Sequence, residues 1–483
     1  MNFRNIFHIL GALLFFLGLT MFFPLLCSLY YRDGDLPALF SAAIITTLTG
    51  GLLYVIFRKN GRETPLTHKE GFFIVAAGWI LAGIFGALPF LFSGVITSFG
   101  SAFFEAVSGF TTTGATVLVN LDSMAHGIHL WRSLTQWLGG MGIILLSVAI
   151  LPLLGVGGMQ LYKAELPSPV KDKITPRVTQ TARTLWIVYI IISTLEFSML
   201  LLGGMSVFDA LCHTFTTMAT GGFSTSDASI AHFNSPYIDG VITFFMFVAG
   251  INFTLHYYLL VGNPGAYVKD SEFRFYAAVI VLASFLVIID LRLNLFSTIT
   301  ESFRYGIFQV VSIMTTTGYA THNFNDWPSF SKMVLLVLMF VGGSAGSTGG
   351  AIKCLRVLLI LKHGYIELYR LVHPHAVRAV KLRKKIVSQD IMASIWGFII
   401  LYLVITLSAA FILSFLGLDM MTAFSAVAAT IGNVGPGFSL VNAASTYADI
   451  PSLGKWVLSF CMLAGRLEIY TIMILLIPEF WKR

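Results

Sequence analysis

The feature that most constrains this chain is a short glycine phrase that occurs four times at nearly even spacing. The copies are Thr111-Thr112-Thr113-Gly114, Ala219-Thr220-Gly221-Gly222, Thr315-Thr316-Thr317-Gly318 and Gly432-Asn433-Val434-Gly435. Their anchor glycines Gly114, Gly222, Gly318 and Gly435 return about once per hundred residues, a period longer than any common solenoid unit. Each unit must therefore be an assembly of several elements. Glycine beside small hydroxyl residues lets the backbone run extended with its carbonyls open to a ligand. Rings of such carbonyls can replace the hydration shell of a potassium ion, and backbone ligands tolerate the side-chain variation between the four copies.

The surroundings of the phrases are apolar. Over 483 residues the composition is 56% hydrophobic and 11% charged, which excludes a water-soluble fold and indicates a membrane protein. The net charge of +7 does not point to nucleic acid. The basic residues sit in short loops between apolar runs, as the positive-inside rule requires. Cys27, Cys212, Cys354 and Cys461 lie in or beside apolar segments without paired spacing and read as buried small residues. Arg4 precedes an apolar run from Ile6 to Leu26 that is too long for a signal peptide, so a retained first span is expected.

About 20 apolar residues cross a bilayer core. By that measure Ile6 to Tyr30 and Leu36 to Phe57 form an accessory pair within residues 1–70, followed by the basic loop Arg58-Lys59-Asn60-Gly61-Arg62. Four units of span, half-helix, extended phrase and span follow, over residues 71–165, 166–265, 266–388 and 389–483. Their spans are Gly71 to Phe92 and Leu130 to Gly155, Thr184 to Leu202 and Tyr237 to Leu260, Phe275 to Leu291 and Lys332 to Leu361, and Ile391 to Leu416 and Leu453 to Pro478. The half-helices are Ser101 to Phe110, Phe208 to Met218, Phe303 to Met314 and Thr422 to Ile431. The expected fold is an all-α polytopic membrane protein of about ten transmembrane helices. Lys163, Lys171, Lys173, Arg177, Arg183, Lys269, Arg274, Lys362, Arg370, Arg378, Lys381, Arg383, Lys384 and Lys385 fall between repeats, whereas Asp122, Asp227, Asp239 and Asp419 lie on the side of the phrases. That asymmetry puts the phrases near the outer face.

Ser206-Val207-Phe208-Asp209 has capping-box spacing, and Asp419 is placed to cap the last half-helix. Glu105 and Glu301 read as caps and outer-mouth charges, and His213 as a hydrogen-bonded packing residue. In the third repeat the second span becomes Gly342-Gly343-Ser344-Ala345-Gly346-Ser347-Thr348-Gly349-Gly350. Five glycines there would cost a continuous helix roughly 4–5 kcal/mol, so a break is predicted, and non-helical backbone at that depth survives only in protein or beside a wet cavity. The run lacks the GxxxxGK[ST] order of a phosphate loop. Arg466, within the last span, costs at least about 2.5–3.5 kcal/mol on insertion and needs acceptors. Glu468, two positions on, faces elsewhere on a continuous helix, so the free carbonyls of the glycine run are its expected partners. Residues Gly342 to Gly350 and Arg466 are the expected gate.

The four repeats, the glycines Gly114, Gly222, Gly318 and Gly435, the glycine run and Arg466 together resemble the Trk/Ktr/HKT superfamily of potassium transporters. The N-terminal pair and Gly139-Gly140-Met141-Gly142 are similar to its bacterial TrkH branch. The resemblance implies potassium uptake by a homodimer in the bacterial inner membrane, with one pore per subunit. It also implies a cytosolic nucleotide-binding regulator of the TrkA type docked on the basic inner loops, no covalently bound cofactor, and potassium or rubidium as the transported ligand at the phrases. Family members with serine at the first filter glycine tend to pass sodium, so Gly114 implies selection against it.

Two other functions compete. A symporter of another solute with broken helices usually shows inverted repeats, whereas these four keep one order. An intramembrane enzyme would need a nucleophile–base pair or a metal cluster within the spans, and the ionisable groups at depth are scattered. A channel and an ion-coupled symporter of potassium would need the same filter.

Overall fold

The computed structural model describes residues 1–58, 66–149, 174–376, 378–382 and 385–482. Lys59, Asn60, Gly61, Arg62, the end of the span drawn to Gly155, Lys163, Lys171, Lys173, Arg383 and Lys384 lie outside them.

The described residues fold as helices, with one short two-stranded ribbon between Lys381–Leu382 and Lys385–Ile386. Helices α1 (Phe3–Thr20), α2 (Phe22–Tyr31) and α3 (Leu36–Ile56) make the N-terminal pair. Glycines let it close: a Cβ on Gly50 would fall against the backbone of Leu14 and Phe15, and one on Gly11 would lie 2.9 Å from the Gly50 carbonyl oxygen. The turn between the two spans is not idle. The amides of His126 and Ile128, at the start of the next long helix after the first phrase, donate to Asp33 (2.7 Å) and Asp35 (3.0 Å), so two carboxylates satisfy its orphan N–H groups.

The first unit comprises α4 (His68–Gly86), α5 (Leu88–Phe92), the half-helix α6 (Phe99–Phe110) and α7 (His126–Ala149). The second comprises α8 (Ile174–Leu202), the half-helix α9 (Val207–Met218), α10 (Pro236–Ala249) and α11 (Phe253–Leu260), then a short α12 (Gly265–Lys269). The third comprises α13 (Ser271–Asn294), the half-helix α14 (Ile299–Met314), α15 (Ser329–Val341) and α16 (Cys354–Val372). The fourth comprises α17 (Gln389–Phe415), the half-helix α18 (Met420–Ile431), α19 (Ser452–Arg466) and α20 (Tyr470–Met473). Among the described residues, six stretches are long and apolar enough to cross a bilayer singly, and two sharply bent helix pairs add to them. The outer faces carry exposed Phe411, Phe415 and Leu202, as expected where lipid replaces water.

Two spans expected to be continuous are broken. Between α10 and α11 the axis turns by 101°, where Asn252 caps the second piece by accepting from the Thr254 amide at 2.9 Å. Between α19 and the segment starting at α20 it turns by 113°, with Glu468 and Ile469 both at positive φ (61° and 49°). A β-branched residue there is a steric outlier. The third break, α15 to α16, falls on the glycine run. Among the described residues, one of the two larger buried clusters joins the N-terminal pair and the first unit to the fourth, and the other centres on the second and third units; a smaller one packs α16 and the ribbon against α17.

Gly50→Ala should lower the stability of the detergent-solubilised protein by about 1–3 kcal/mol, read as an earlier thermal unfolding midpoint. An unmoved midpoint would contradict the close crossing of α1 and α3.

Candidate cation pathway

Each half-helix ends just before its phrase, and the four exits are alike. Thr111, Ala219, Thr315 and Gly432 are the C-caps. The next residue turns left-handed in every copy: Thr112 (φ 52°), Thr220 (52°), Thr316 (61°) and Asn433 (53°). The amide after that donates back to the helix, Thr113 to Ser108 (2.9 Å), Gly221 to Thr216 (2.8 Å), Thr317 to Ser312 (2.8 Å) and Val434 to Ala429 (2.7 Å), which closes a Schellman-type cap. The anchor glycine then takes φ 82°, 74°, 84° and 99° in the four copies. Non-glycine residues held left-handed cost about 1–3 kcal/mol each and persist where surrounding structure insists on them.

That insistence comes from the neighbouring strand. A Cβ on Gly114 would collide with the Gly221 carbonyl oxygen, one on Gly222 with that of Thr317, and one on Gly318 with that of Val434; on Gly435 it would sit 2.6 Å from that of Thr113. Every contact joins an anchor glycine to the residue just before the next anchor. The series runs from first to second, third, fourth and back to first, so the four strands form a closed ring. A cavity of about 270 Å³ opens beside it, lined by Gly114, Gly222, Gly318, Gly435 and residues that follow them. The C-terminal ends of four half-helices abut the ring, each contributing the equivalent of roughly half a negative charge.

The glycine run lies across the other side of the ring. The Gly350 amide donates to Thr316 Oγ1 (2.8 Å), and Ala351 N to the Gly432 carbonyl (3.0 Å). The Thr348 hydroxyl lies within reach of two carbonyls, Met218 (3.1 Å) and Ala249 (3.2 Å). Gly342 and Gly346 need positive φ (75° and 78°). Arg466 is buried and donates through Nη1 to the Thr348 carbonyl (2.7 Å) and through Nη2 to that of Gly139 (3.5 Å). The guanidinium thus meets the run itself. Glu468 does not face away, as a continuous helix would have it: the break swings it onto Lys353 (3.1 Å) and Arg356, and Arg356 also lies over the Phe398 ring.

Glu105 is no cap. It sits in mid-α6, fully buried, and pairs with Arg132 Nε (2.8 Å) while accepting from Thr116 Oγ1 (2.9 Å) and the Val117 amide (2.9 Å). Arg132 also donates to the Ser224 carbonyl (2.9 Å) and lies 3.7 Å from the centre of the Phe223 ring. One buried ion pair thus holds the stretches after the first and second phrases. Nothing in the local sequence announces it, because Arg132 comes from α7.

Ser206 caps as its spacing suggests, accepting from the Asp209 amide (3.0 Å), whereas at the third half-helix the cap is not Glu301 but Thr298, which accepts from the Glu301 amide (3.2 Å) and donates to its carboxylate (2.7 Å). Asp419 accepts from the Thr422 hydroxyl and amide, and these bonds hold its carboxyl below the usual range. His213 is buried between the Asp209 carbonyl (2.8 Å) and Ser224 Oγ (3.1 Å). All four cysteines are free, three of them buried. Among the described residues no three His, Cys, Asp or Glu side chains gather.

Membrane-length apolar helices packed with a closed ring of four chain segments define a polytopic, mostly helical membrane protein. The profile of TrkH, described as a cation transport protein, matches residues 35–483. The chain is 43% identical over 488 residues to the Trk system potassium uptake protein TrkH of Escherichia coli (strain K12), covering 100% of both. It is 36% identical to the Trk system potassium uptake protein TrkG of the same organism over 99% of each chain. The crystal structure of the potassium transporter TrkH from Vibrio parahaemolyticus superposes with a TM-score of 0.92 at 40% identity, covering 100% of both chains. The chain belongs to the TrkH family of cation transport proteins and is a transporter rather than an enzyme.

Arg132→Met would strand a buried carboxylate at Glu105 and should cost about 3–5 kcal/mol, while adding Glu105→Gln should recover much of it. Thermal unfolding of the two variants measures both effects; equal losses would mean that the ion pair is not what holds this corner.

Proposed function

We propose that this chain takes up potassium, and rubidium with it, through the axis of the four-strand ring. The carbonyls of Thr111 to Gly114, Ala219 to Gly222, Thr315 to Gly318 and Gly432 to Gly435 replace water around the dehydrated ion. The observation that carries this reading is the cyclic contact of each anchor glycine with the carbonyl before the next one, since a ring of main-chain oxygens needs four segments at one axis. Potassium uptake is also what the named relatives are described as doing. In this reading the units 71–165, 166–265, 266–388 and 389–483 each supply one quarter of the ring, and residues 1–70 support it from outside.

The run from Gly342 to Gly350 is the gate, and Arg466 its latch. Its hydrogen bonds to Thr316 and Gly432 support this, because a segment held against the end of the ring obstructs the axis. The guanidinium adds a positive charge where a cation would pass. The protein works in the bacterial inner membrane as a homodimer with one pore per subunit, under a cytosolic nucleotide-binding regulator of the TrkA type on its basic inner loops. The family resemblance supports these assignments, and the Trk system in the relatives' names is consistent with partner components. Passive conduction and ion-coupled uptake use the ring alike.

Rubidium influx into vesicles tests the ring and the gate separately. Gly318→Val puts a branched side chain against the Val434 carbonyl at a φ of 84° and should cut influx roughly tenfold or more. Undiminished influx would end the filter reading. Deleting Gly343 to Gly349, or replacing Arg466 with Ala, should raise basal influx; unchanged influx in both would discard the gate and leave the ring standing.

A further inference from the structure

The ring is nearly fourfold, but its strands are held from behind in three different ways. In the first strand Thr111 Oγ1 donates to the Val107 carbonyl (2.6 Å), so the hydroxyl of Thr113, 2.7 Å away, donates to Thr111. The third strand repeats this: Thr315 donates to Val311 (2.7 Å) and receives from Thr317 (2.8 Å). The fourth strand has Gly432 and Val434 at those places, and Asn433 takes over. Its Nδ2 donates to Thr113 Oγ1 (3.0 Å) and to the Met462 carbonyl (3.0 Å).

The second strand has Ala219 and Gly221 there, with no hydroxyl at either place. A residue from outside fills the gap. Gln136 of α7 is fully buried; it donates through Nε2 to the Gly221 carbonyl (2.8 Å) and accepts at Oε1 from the Phe223 amide (3.1 Å). The amide plane lies where a side chain on Gly221 would be, since a Cβ there would overlap Gln136 Cδ, Oε1 and Nε2. This accounts for a glycine pair in the second phrase where the other phrases have a side chain before the anchor. A long amide and an absent side chain substitute jointly for the threonine pair.

We infer that Gln136 is a selectivity-positioning residue, setting the Gly221 carbonyl against Gly114 in place of the hydroxyl brace that the first and third strands carry. The inference rests on the proposed role of the ring in selecting cations. A carbonyl held by a buried amide keeps its distance from the axis. Freed of it, the oxygen can close on a smaller ion, so discrimination falls before transport does.

The test uses the full-length chain in proteoliposomes, with rubidium and sodium influx measured on the same preparations. Gln136→Met keeps the volume and removes both hydrogen bonds. It should lower the rubidium-to-sodium influx ratio by about fivefold to tenfold while the maximal rubidium rate changes less than the ratio. The triple variant Q136A/A219T/G221T restores a threonine pair and clears the space it needs, and should recover most of the ratio. An unchanged ratio in folded Gln136→Met overturns the inference, as does a triple variant no more selective than Gln136→Met. If Gln136→Met does not fold, the triple variant decides alone: folded and selective supports the inference, anything else refutes it. Gly318→Val runs beside them, so that failure of the ring itself, seen as undiminished rubidium influx in that variant, is told apart from failure of this inference.

Discussion

The structure depends on the approach of main chain to main chain at four positions where a Cβ could not exist. Each anchor glycine accepts the carbonyl of the next strand into the volume a side chain would occupy. The approach is cyclic, so no strand can relax without disturbing two neighbours. Everything behind the ring serves to hold it: the half-helices deliver their strands through the same left-handed turn, and α7 supplies Arg132 and Gln136 to keep the first two strands in place. The division of the hydrophobic core follows the same logic, because a ring that closes from fourth strand to first needs the fourth unit packed on the first.

Buried charge is concentrated where segments from different units must be kept together. Glu105 and Arg132 join the stretches after the first two phrases; Glu468, Lys353 and Arg356 join the bend after α19 to the end of the glycine run. Such groups are costly to bury and gain little over an apolar pair of the same shape. They do, however, fix one arrangement, since a slipped segment would leave an ion uncompensated in a low-dielectric interior. Arg466 meets carbonyls rather than a carboxylate. Two carbonyl dipoles hold it by less than a counter-ion would.

Much of this was legible in the sequence, and the remainder failed for identifiable reasons. The four phrases, their half-helices and the interrupted α15–α16 span could be read because glycine leaves a local mark. The breaks at Gly250 to Asn252 and at Leu467 to Ile469 could not. The first carries a single glycine and the second none, and each is held by contacts from elsewhere: the Gly250 carbonyl receives the Ser344 amide (2.9 Å), and Glu468 is gripped by Lys353 (3.1 Å) and Arg356. Glu105 reads as a cap because an acid early in a half-helix has a local explanation, whereas its partner Arg132 lies on another helix. Gly221 looked like a tolerated variation of the phrase. Its reason, Gln136, becomes visible only when α7 is seen lying across it.

The ring closes by Gly435 meeting the carbonyl of Thr113, residues separated by most of the polypeptide. Because synthesis proceeds from the N-terminus, a ribosome must finish nearly the whole chain before these two can touch. Every shorter nascent product therefore holds at most three strands, with an open side and no enclosed axis. The enclosure comes into being only with the fourth unit, so no earlier stage of synthesis holds a closed ring.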